Sequence, residues 1–132
     1  MKIAADTNVL VRAVTEDDVE QSKAAQAALR KAEIVAIATS ALCEFVWVLS
    51  RAYRIPQVDI ADAIRGLLNA ANVVVDRPAT EAGLAMLDAG GDFADGVIAH
   101  EGNWLGADTF VSFDKKAVKM LQTEGRSARP LS

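Results

Sequence analysis

The stretch KIAADTNVLV, residues 2–11, shows the unit from which this chain is built. A short strand-like run at residues 2–5 is followed by one acid, Asp6, and then by an apolar helical run that opens near Thr7. Similar strand-like runs recur at residues 34–38, 73–75 and 109–113. Each is followed by a longer run of helical periodicity. Alternating strands and helices predict an α/β fold with a mainly parallel sheet, which binds ligands at the carboxyl ends of its strands.

Length and composition narrow the class of protein. The chain has 132 residues, 52% of them hydrophobic and 24% charged, which predicts one globular domain over residues 1–132. Because Cys43 is the single cysteine, an intrachain disulfide and a zinc site built on several thiolates are excluded. This lone cysteine and the absence of a secretion signal at the N-terminus favour a location in the cytoplasm. The net charge of -4 provides no global basic field, so a polyanionic substrate would need local cations or a metal.

Four acidic residues lie at or near the starts of predicted helices. Asp6 follows the first strand and Asp114 follows the fourth. Glu44 lies early in the helix after the second strand and is the only charged residue in residues 34–50. In such an apolar run, an ionised group needs a neighbour or a metal to offset the cost of its desolvation. Asp95 begins the helix that leads to the fourth strand. We expect all four at one edge of the sheet, where Mg²⁺ or Mn²⁺ would be their natural complement.

Each of these acids also has an ordinary explanation as a helix cap or a first-turn partner of the helix dipole. Asp92 is either the cap of the helix that contains Asp95 or part of an outer metal shell. The Thr7 hydroxyl would hold a metal-bound water or a phosphate oxygen, or would cap its own helix. Ser112, two residues before Asp114, would orient that carboxylate or a water, or has no role beyond the strand.

Four segments carry a family resemblance, namely ADTNVLVRAV (5–14), TSALCEFVWVLS (39–50), DFADGVIAH (92–100) and TFVSFDKKAVKML (109–121). In order and spacing they resemble the acidic motifs of PIN-domain ribonucleases, and among these they are most similar to VapC-type toxins of bacterial toxin-antitoxin pairs. The resemblance covers Lys2 to Leu121, and the segment TEGRSARPLS (123–132) matches no motif.

This resemblance implies a three-layer α/β/α sandwich and an endoribonuclease that depends on Mg²⁺ or Mn²⁺. It further implies a homodimer and a small antitoxin that binds and blocks the enzyme. The residues that it implies as catalytic and metal-binding are Asp6, Glu44, Asp95 and Asp114.

Other side chains near these acids support or limit such a reaction. With His100 as the single histidine, cleavage by a pair of histidines is excluded, and His100 is expected to be structural or at the surface. Lys115, Lys116 and Arg12 would contact RNA phosphates, or else are solvated helix ends. Two tryptophans, Trp47 and Trp104, are expected in the core or in an interface.

Three alternatives remain open from the sequence. A receiver-like Mg²⁺-binding signalling domain would use Asp76 after the third strand, but it requires a second acid beside Asp6. A haloacid-dehalogenase-like phosphatase requires an aspartate where this chain has Asn8. A non-catalytic binding protein on the same fold would leave RNA intact in Mn²⁺.

Overall fold

The computed structural model describes residues 1–132, which divide into two compact units, residues 1–76 and 77–132. The single domain predicted over the whole chain stays a prediction. No helix has the combination of length and apolar character that crossing a membrane requires.

The first unit is a parallel sheet with helices between its strands. In chain order its elements are β1 (Lys2–Ala4), α1 (Thr7–Val14), α2 (Val19–Lys31), β2 (Ile34–Ala36), α3 (Thr39–Arg51), α4 (Gln57–Asn69) and β3 (Val73–Val74). The strands lie in the order β1-β2-β3, and both pairs are parallel, with Ala4 opposite Ala36 and Ala36 opposite Val74. The carboxyl ends of all three strands therefore meet at one edge, directly before Ala5, Ile37 and Val75, and Asp6 follows Ala5.

The core of the first unit follows from the apolar stripes of its helices. These stripes bury Leu10 on α1, Leu42, Phe45 and Leu49 on α3, and Ile60 and Ile64 on α4, each almost completely. Val35 on β2 is fully buried at the centre of the sheet. Ala38 is the N-cap residue of α3 and makes no side-chain bond, so the helix begins at Thr39 without that support.

The second unit contains α5 (Arg77–Asp88), α6 (Phe93–Trp104), β4 (Phe110–Ser112), α7 (Lys115–Thr123) and β5 (Ala128–Pro130). Strands β4 and β5 pair in parallel, with Val111 opposite Arg129. A core cluster of Met86, Val118, Leu121 and Ala128 packs between its helices and this small sheet. Strand β5 was not predicted, because residues 123–132 show no strand-like alternation.

The double glycine before Asp92 has a definite structural role. Gly90 adopts a φ of 91°, its N–H donates to the carbonyl of Leu87 and that of Gly91 donates to Met86. This is the hydrogen-bond pattern of a Schellman helix end, and it requires a left-handed residue at the position of Gly90. It ends α5 and leaves Asp92 free to begin α6 at once.

The tryptophans are not in the core, contrary to that part of the prediction. Trp47 on α3 is 62% exposed and Trp104 at the end of α6 is 85% exposed. The apolar character of a residue alone does not show whether it faces the core or water. For these two residues, a role at an interface is the part of the prediction that stays open.

Candidate active site

The first unit brings three of the predicted site residues together. Asp6 caps α1, where its Oδ1 accepts a hydrogen bond of 3.0 Å from the backbone N–H of Val9. The next residue, Thr7, donates from its hydroxyl to Oε2 of Glu44 at 3.4 Å. This contact follows from the sheet, since β1 and β2 are parallel neighbours and the helices after them start at the same edge. The predicted convergence of Asp6 and Glu44 on a metal stays a prediction, and the contact observed at this edge is that of Thr7 with Glu44.

Glu44 itself is exposed to solvent, whereas its neighbours Phe45 and Val46 are buried. The argument that its charge must be offset because it lies in a buried run is therefore wrong. Glu44 lies on the exposed side of α3, which it shares with Ser40, Trp47 and Arg51. Its carboxylate is accessible from solvent, as a metal ligand or a water-positioning group would be.

Arg12 is already engaged by a network within the first unit. Its Nη1 donates to Oδ1 of Asp17 at 2.8 Å, and the hydroxyl of Tyr53 donates to Oδ2 of the same carboxylate at 2.8 Å. Sequence reasoning missed Asp17 and Tyr53, which are 36 residues apart along the chain. A contact between Arg12 and an RNA phosphate would compete with this ion pair, so that predicted role stays a prediction.

The network makes the stability of the first unit sensitive to acid. The hydrogen bond from Tyr53 and then the guanidinium of Arg12 hold the pKa of Asp17 below its ordinary value of 3.8. Because the unfolded chain binds this proton more readily, the stabilisation is present at neutral pH and is lost as pH falls below about 4. We expect Asp17→Asn to be less stable than wild type at pH 7 and to show a shallower further loss towards pH 2.

Urea unfolding across this pH range measures the effect. Asp62→Asn, a change at an exposed aspartate on α4, is the matched control and should keep the acid sensitivity of the wild type. Parallel pH profiles for wild type and Asp17→Asn would contradict the assignment.

In the second unit, α6 and α7 are each capped by an aspartate. Asp95 lies in the first turn of α6. Asp92 caps α6, and its Oδ1 accepts the backbone N–H of Ala94 at 2.7 Å and that of Asp95 at 3.4 Å. Asp114 caps α7 through a 3.1 Å bond from Ala117. In both aspartates, as in Asp6, the capping bonds use Oδ1, which leaves Oδ2 for another partner.

Asp95 experiences the charge of both capping aspartates. Burial raises its pKa first, and the negative charges of Asp92 and Asp114 raise it further. No cation appears among the groups that shift it. Three carboxylates in one electrostatic neighbourhood repel one another, which is the condition that a bound divalent cation would relieve.

Ser112, Lys115 and Lys116 lie within two residues of Asp114 in the chain. The hydroxyl of Ser112 accepts the backbone N–H of Asp114 at 3.0 Å and so fixes the turn that begins α7. Both lysines are exposed in the first turn of α7. Lys116 also donates to the carbonyl of Gly90 at 3.3 Å, which links the start of α7 to the turn before α6.

The donor set fits a hard divalent cation. Every predicted ligand is a carboxylate, and oxygen ligands of this type suit Mg²⁺ and Mn²⁺. In neither unit, however, do three or more carboxylate, imidazole or thiolate side chains form a group arranged to hold a metal ion. The four-carboxylate site therefore stays a prediction.

Comparison with known proteins places the chain in a family. The model of the PIN domain matches residues 3–120, a range that contains all four predicted acids. No curated protein matches the chain. The match confirms the predicted PIN-like α/β fold class, to which the seven helices and exclusively parallel strand pairs conform. The chain therefore belongs to the PIN-domain family, whose members are generally nucleases that typically depend on Mg²⁺.

Proposed function

We propose that this protein is a Mg²⁺- or Mn²⁺-dependent endoribonuclease and the toxin of a type II toxin-antitoxin pair. The observation that carries the proposal is the group of carboxylates in the second unit, where Asp92 and Asp114 cap α6 and α7 through Oδ1 and where burial, and then the charges of these two aspartates, raises the pKa of Asp95. Membership of the PIN family supports the nuclease activity. Because the receiver-like and phosphatase alternatives belong to other families, that membership leaves them without support.

In this proposal Asp6, Glu44, Asp95 and Asp114 hold the metal through oxygen. When bound, the ion supplies a lowered pKa for water and neutralises charge on the phosphate. The other residues position these groups. Thr7 orients the Glu44 carboxylate through its hydroxyl, and Ser112 fixes the backbone at Asp114.

Local cations and exposed apolar side chains support the partners that we propose for this toxin. Lys115, Lys116 and Arg12 supply positive charge for RNA in a chain whose net charge is -4. Large apolar side chains left in water, such as Trp47, are typical of surfaces that partner proteins cover. A cognate antitoxin and a second copy of the chain, forming a homodimer, are the proposed partners, in the cytoplasm.

The test of the toxin role is expression with and without the neighbouring reading frame, followed by mapping of new RNA 5′ ends. New ends should appear only when the neighbour is absent, and they should vanish with Asp114→Asn, which keeps a capping side chain on α7. If wild type produces no new ends, and the purified protein binds RNA in Mn²⁺ without cutting it, the non-catalytic alternative replaces the proposal.

If the protein binds a metal ion, that ion should raise its free energy of unfolding. Because the ion would bind only the folded protein, Mg²⁺ at about 100 times its dissociation constant should raise the free energy of unfolding by about 2.7 kcal/mol. Melting curves in Mg²⁺ and in EDTA measure this shift, with Ca²⁺ as a second hard cation and Na⁺ at equal ionic strength as the control. A melting temperature that responds equally to Na⁺ and Mg²⁺ would count against the metal site.

A further inference from the structure

The second unit contains a cavity of about 640 Å³ where β4 and β5 begin, which we call the strand-start cavity. Its walls come from the second half of α6, from residues 107–111 and from residues 125–127. Because β4 and β5 are parallel, both strands start beside this cavity, whereas Asp114 follows the other end of β4. Neither Asp95 nor Asp114 lines the cavity, so it is separate from the acidic group of the candidate active site.

Two nitrogen-bearing side chains of this cavity lack a partner in the protein. His100 and Arg126 both line it, and both are partly buried. No hydrogen bond or ion pair joins either side chain to another residue of the chain. Partial burial removes water from a guanidinium, and an acceptor has to offset that loss. The unused N–H donors of these two residues therefore favour an anionic ligand.

A chain of hydroxyl groups at the same cavity provides acceptors. Asp108, Thr109 and Ser127 all line it. The hydroxyl of Thr109 donates to Oδ1 of Asp108 at 2.9 Å, and it lies 3.1 Å from the hydroxyl of Ser127. Because Thr109 uses its one proton on Asp108, Ser127 must be the donor in the second contact. Both hydroxyl protons are then engaged, which leaves Oδ2 of Asp108 to accept a hydrogen bond from a ligand.

Part of the cavity wall is apolar, and the volume suits a small molecule. Ile98, Phe110 and Val111 line the cavity beside the polar groups. Ile98 is 56% exposed and Val111 is 46% exposed, so both present apolar surface that a ligand would cover. Sites for small ligands typically enclose roughly 300–1,000 Å³ and combine apolar walls with a few polar groups. The strand-start cavity has both properties.

We propose that the strand-start cavity binds a phosphomonoester that also carries hydroxyl groups, with its phosphate on Arg126 and His100 and a hydroxyl donating to Asp108. A phosphate suits the two donors better than a carboxylate does. Arg126 can hold two phosphate oxygens in a bidentate contact, which leaves a third oxygen for His100. Sugar phosphates and nucleoside monophosphates share this chemistry. The inference goes beyond the proposed nuclease function and does not depend on it, because no proposed metal ligand takes part.

Isothermal titration of the full chain in EDTA compares ribose 5-phosphate, adenosine 5′-monophosphate, ribose and adenosine. Both phosphomonoesters should bind saturably, whereas ribose and adenosine, which lack the phosphate, should show no measurable binding. Tighter binding of adenosine 5′-monophosphate than of ribose 5-phosphate would identify a nucleotide site in which the base covers Ile98 and Phe110. Equal affinities would identify a sugar-phosphate site. If neither phosphomonoester binds, the inference is wrong.

Substitutions test the two phosphate contacts. Arg126→Gln should weaken binding of ribose 5-phosphate by about tenfold or more, because it removes the charged fork that holds the phosphate. Arg129→Gln is the matched control and should bind like wild type, since this exposed arginine on β5 does not line the cavity. His100→Gln should weaken binding by a smaller factor, and it carries the test if urea unfolding shows that Arg126→Gln does not fold. Equal affinities for wild type and both cavity variants would overturn the proposal.

Asp95→Asn distinguishes the strand-start cavity from the acidic group. It should bind ribose 5-phosphate like wild type, because Asp95 lies in the first turn of α6 and the cavity adjoins the second half of that helix. If Asp95→Asn weakens binding as strongly as Arg126→Gln does, the ligand occupies the acidic group and this inference is wrong. Protein that binds phosphomonoesters through Arg126 but never cleaves RNA in Mn²⁺ supports the cavity and overturns the nuclease.

Discussion

Replacing Gly96 with alanine is expected to destabilise the second unit by about 3 kcal/mol, one of the two largest effects predicted for a single substitution. Gly96 lies on α6 against α5, and a methyl group there would overlap the backbone carbonyl oxygen of Ala82 and approach Met86 to 2.9 Å. Because the obstacle includes backbone, α6 must move away as a whole. Asp95 is the preceding residue, so its position would change with the helix.

Gly102 provides a matched control on the same helix, because nothing lies within 4 Å of a methyl group at that position. Gly102→Ala should therefore stabilise the protein by up to about 1 kcal/mol, through the higher helix propensity of alanine. Gly83→Ala should resemble Gly96→Ala in direction, since its methyl group would lie 2.6 Å from the ring of Phe93. Urea unfolding compares the three variants. Equal stability of Gly96→Ala and Gly102→Ala would show that α5 and α6 do not pack at this distance.

Asp95→Asn is expected to lower RNA cleavage by about a hundredfold or more without loss of stability. Substitutions around metal ligands typically reduce activity or metal affinity by about 10- to 100-fold, and loss of a ligand itself should reduce them further. In the absence of metal the melting temperature should rise, because the amide removes a charge that burial and two neighbouring carboxylates disfavour. A residue with a merely structural role would lose activity and stability together.

The difference in stability between Asp95→Asn and wild type should depend on pH. The folded-state pKa of Asp95 is raised, so the charge penalty is fully present at pH values above it and is relieved as pH falls and the carboxyl takes up a proton. The stability advantage of Asp95→Asn should therefore be largest at neutral pH and shrink in acid. Glu101→Gln, at an exposed position on the same helix, should leave cleavage unchanged. Full cleavage by Asp95→Asn would remove this residue from the proposed site.

Much of the architecture could be predicted because it is encoded locally. The four predicted strands and the helices between them were placed with errors of a few residues at their ends, since hydrophobic periodicity is a property of neighbouring residues. Asp6, Asp92 and Asp114 cap their helices, as local sequence allows for an aspartate before a helical run. These aspartates combine a local role, which uses Oδ1, with the proposed metal role, and sequence alone does not separate the two.

Parts of the candidate site depended on contacts between distant residues. The meeting of Thr7 with Glu44 could be anticipated, because parallel strands bring the starts of their following helices to one edge. The pairing of Arg12 with Asp17 and Tyr53 could not, because no local pattern links them. The same holds for the exposure of Glu44, which is the only charged residue in residues 34–50.

The sequence by itself determined the order of strands and helices, the positions of the acids at their junctions and the family to which the chain belongs. Periodicity, caps and turn glycines suffice for this, because each acts within a few residues. Only the tertiary structure decided that residues 128–130 form a strand beside β4, that Phe113 and both tryptophans face water, and that Asp95 shares the field of Asp92 and Asp114. Strand pairing, exposure and electrostatic coupling depend on which distant groups become neighbours, and the chain specifies those neighbours only when it folds.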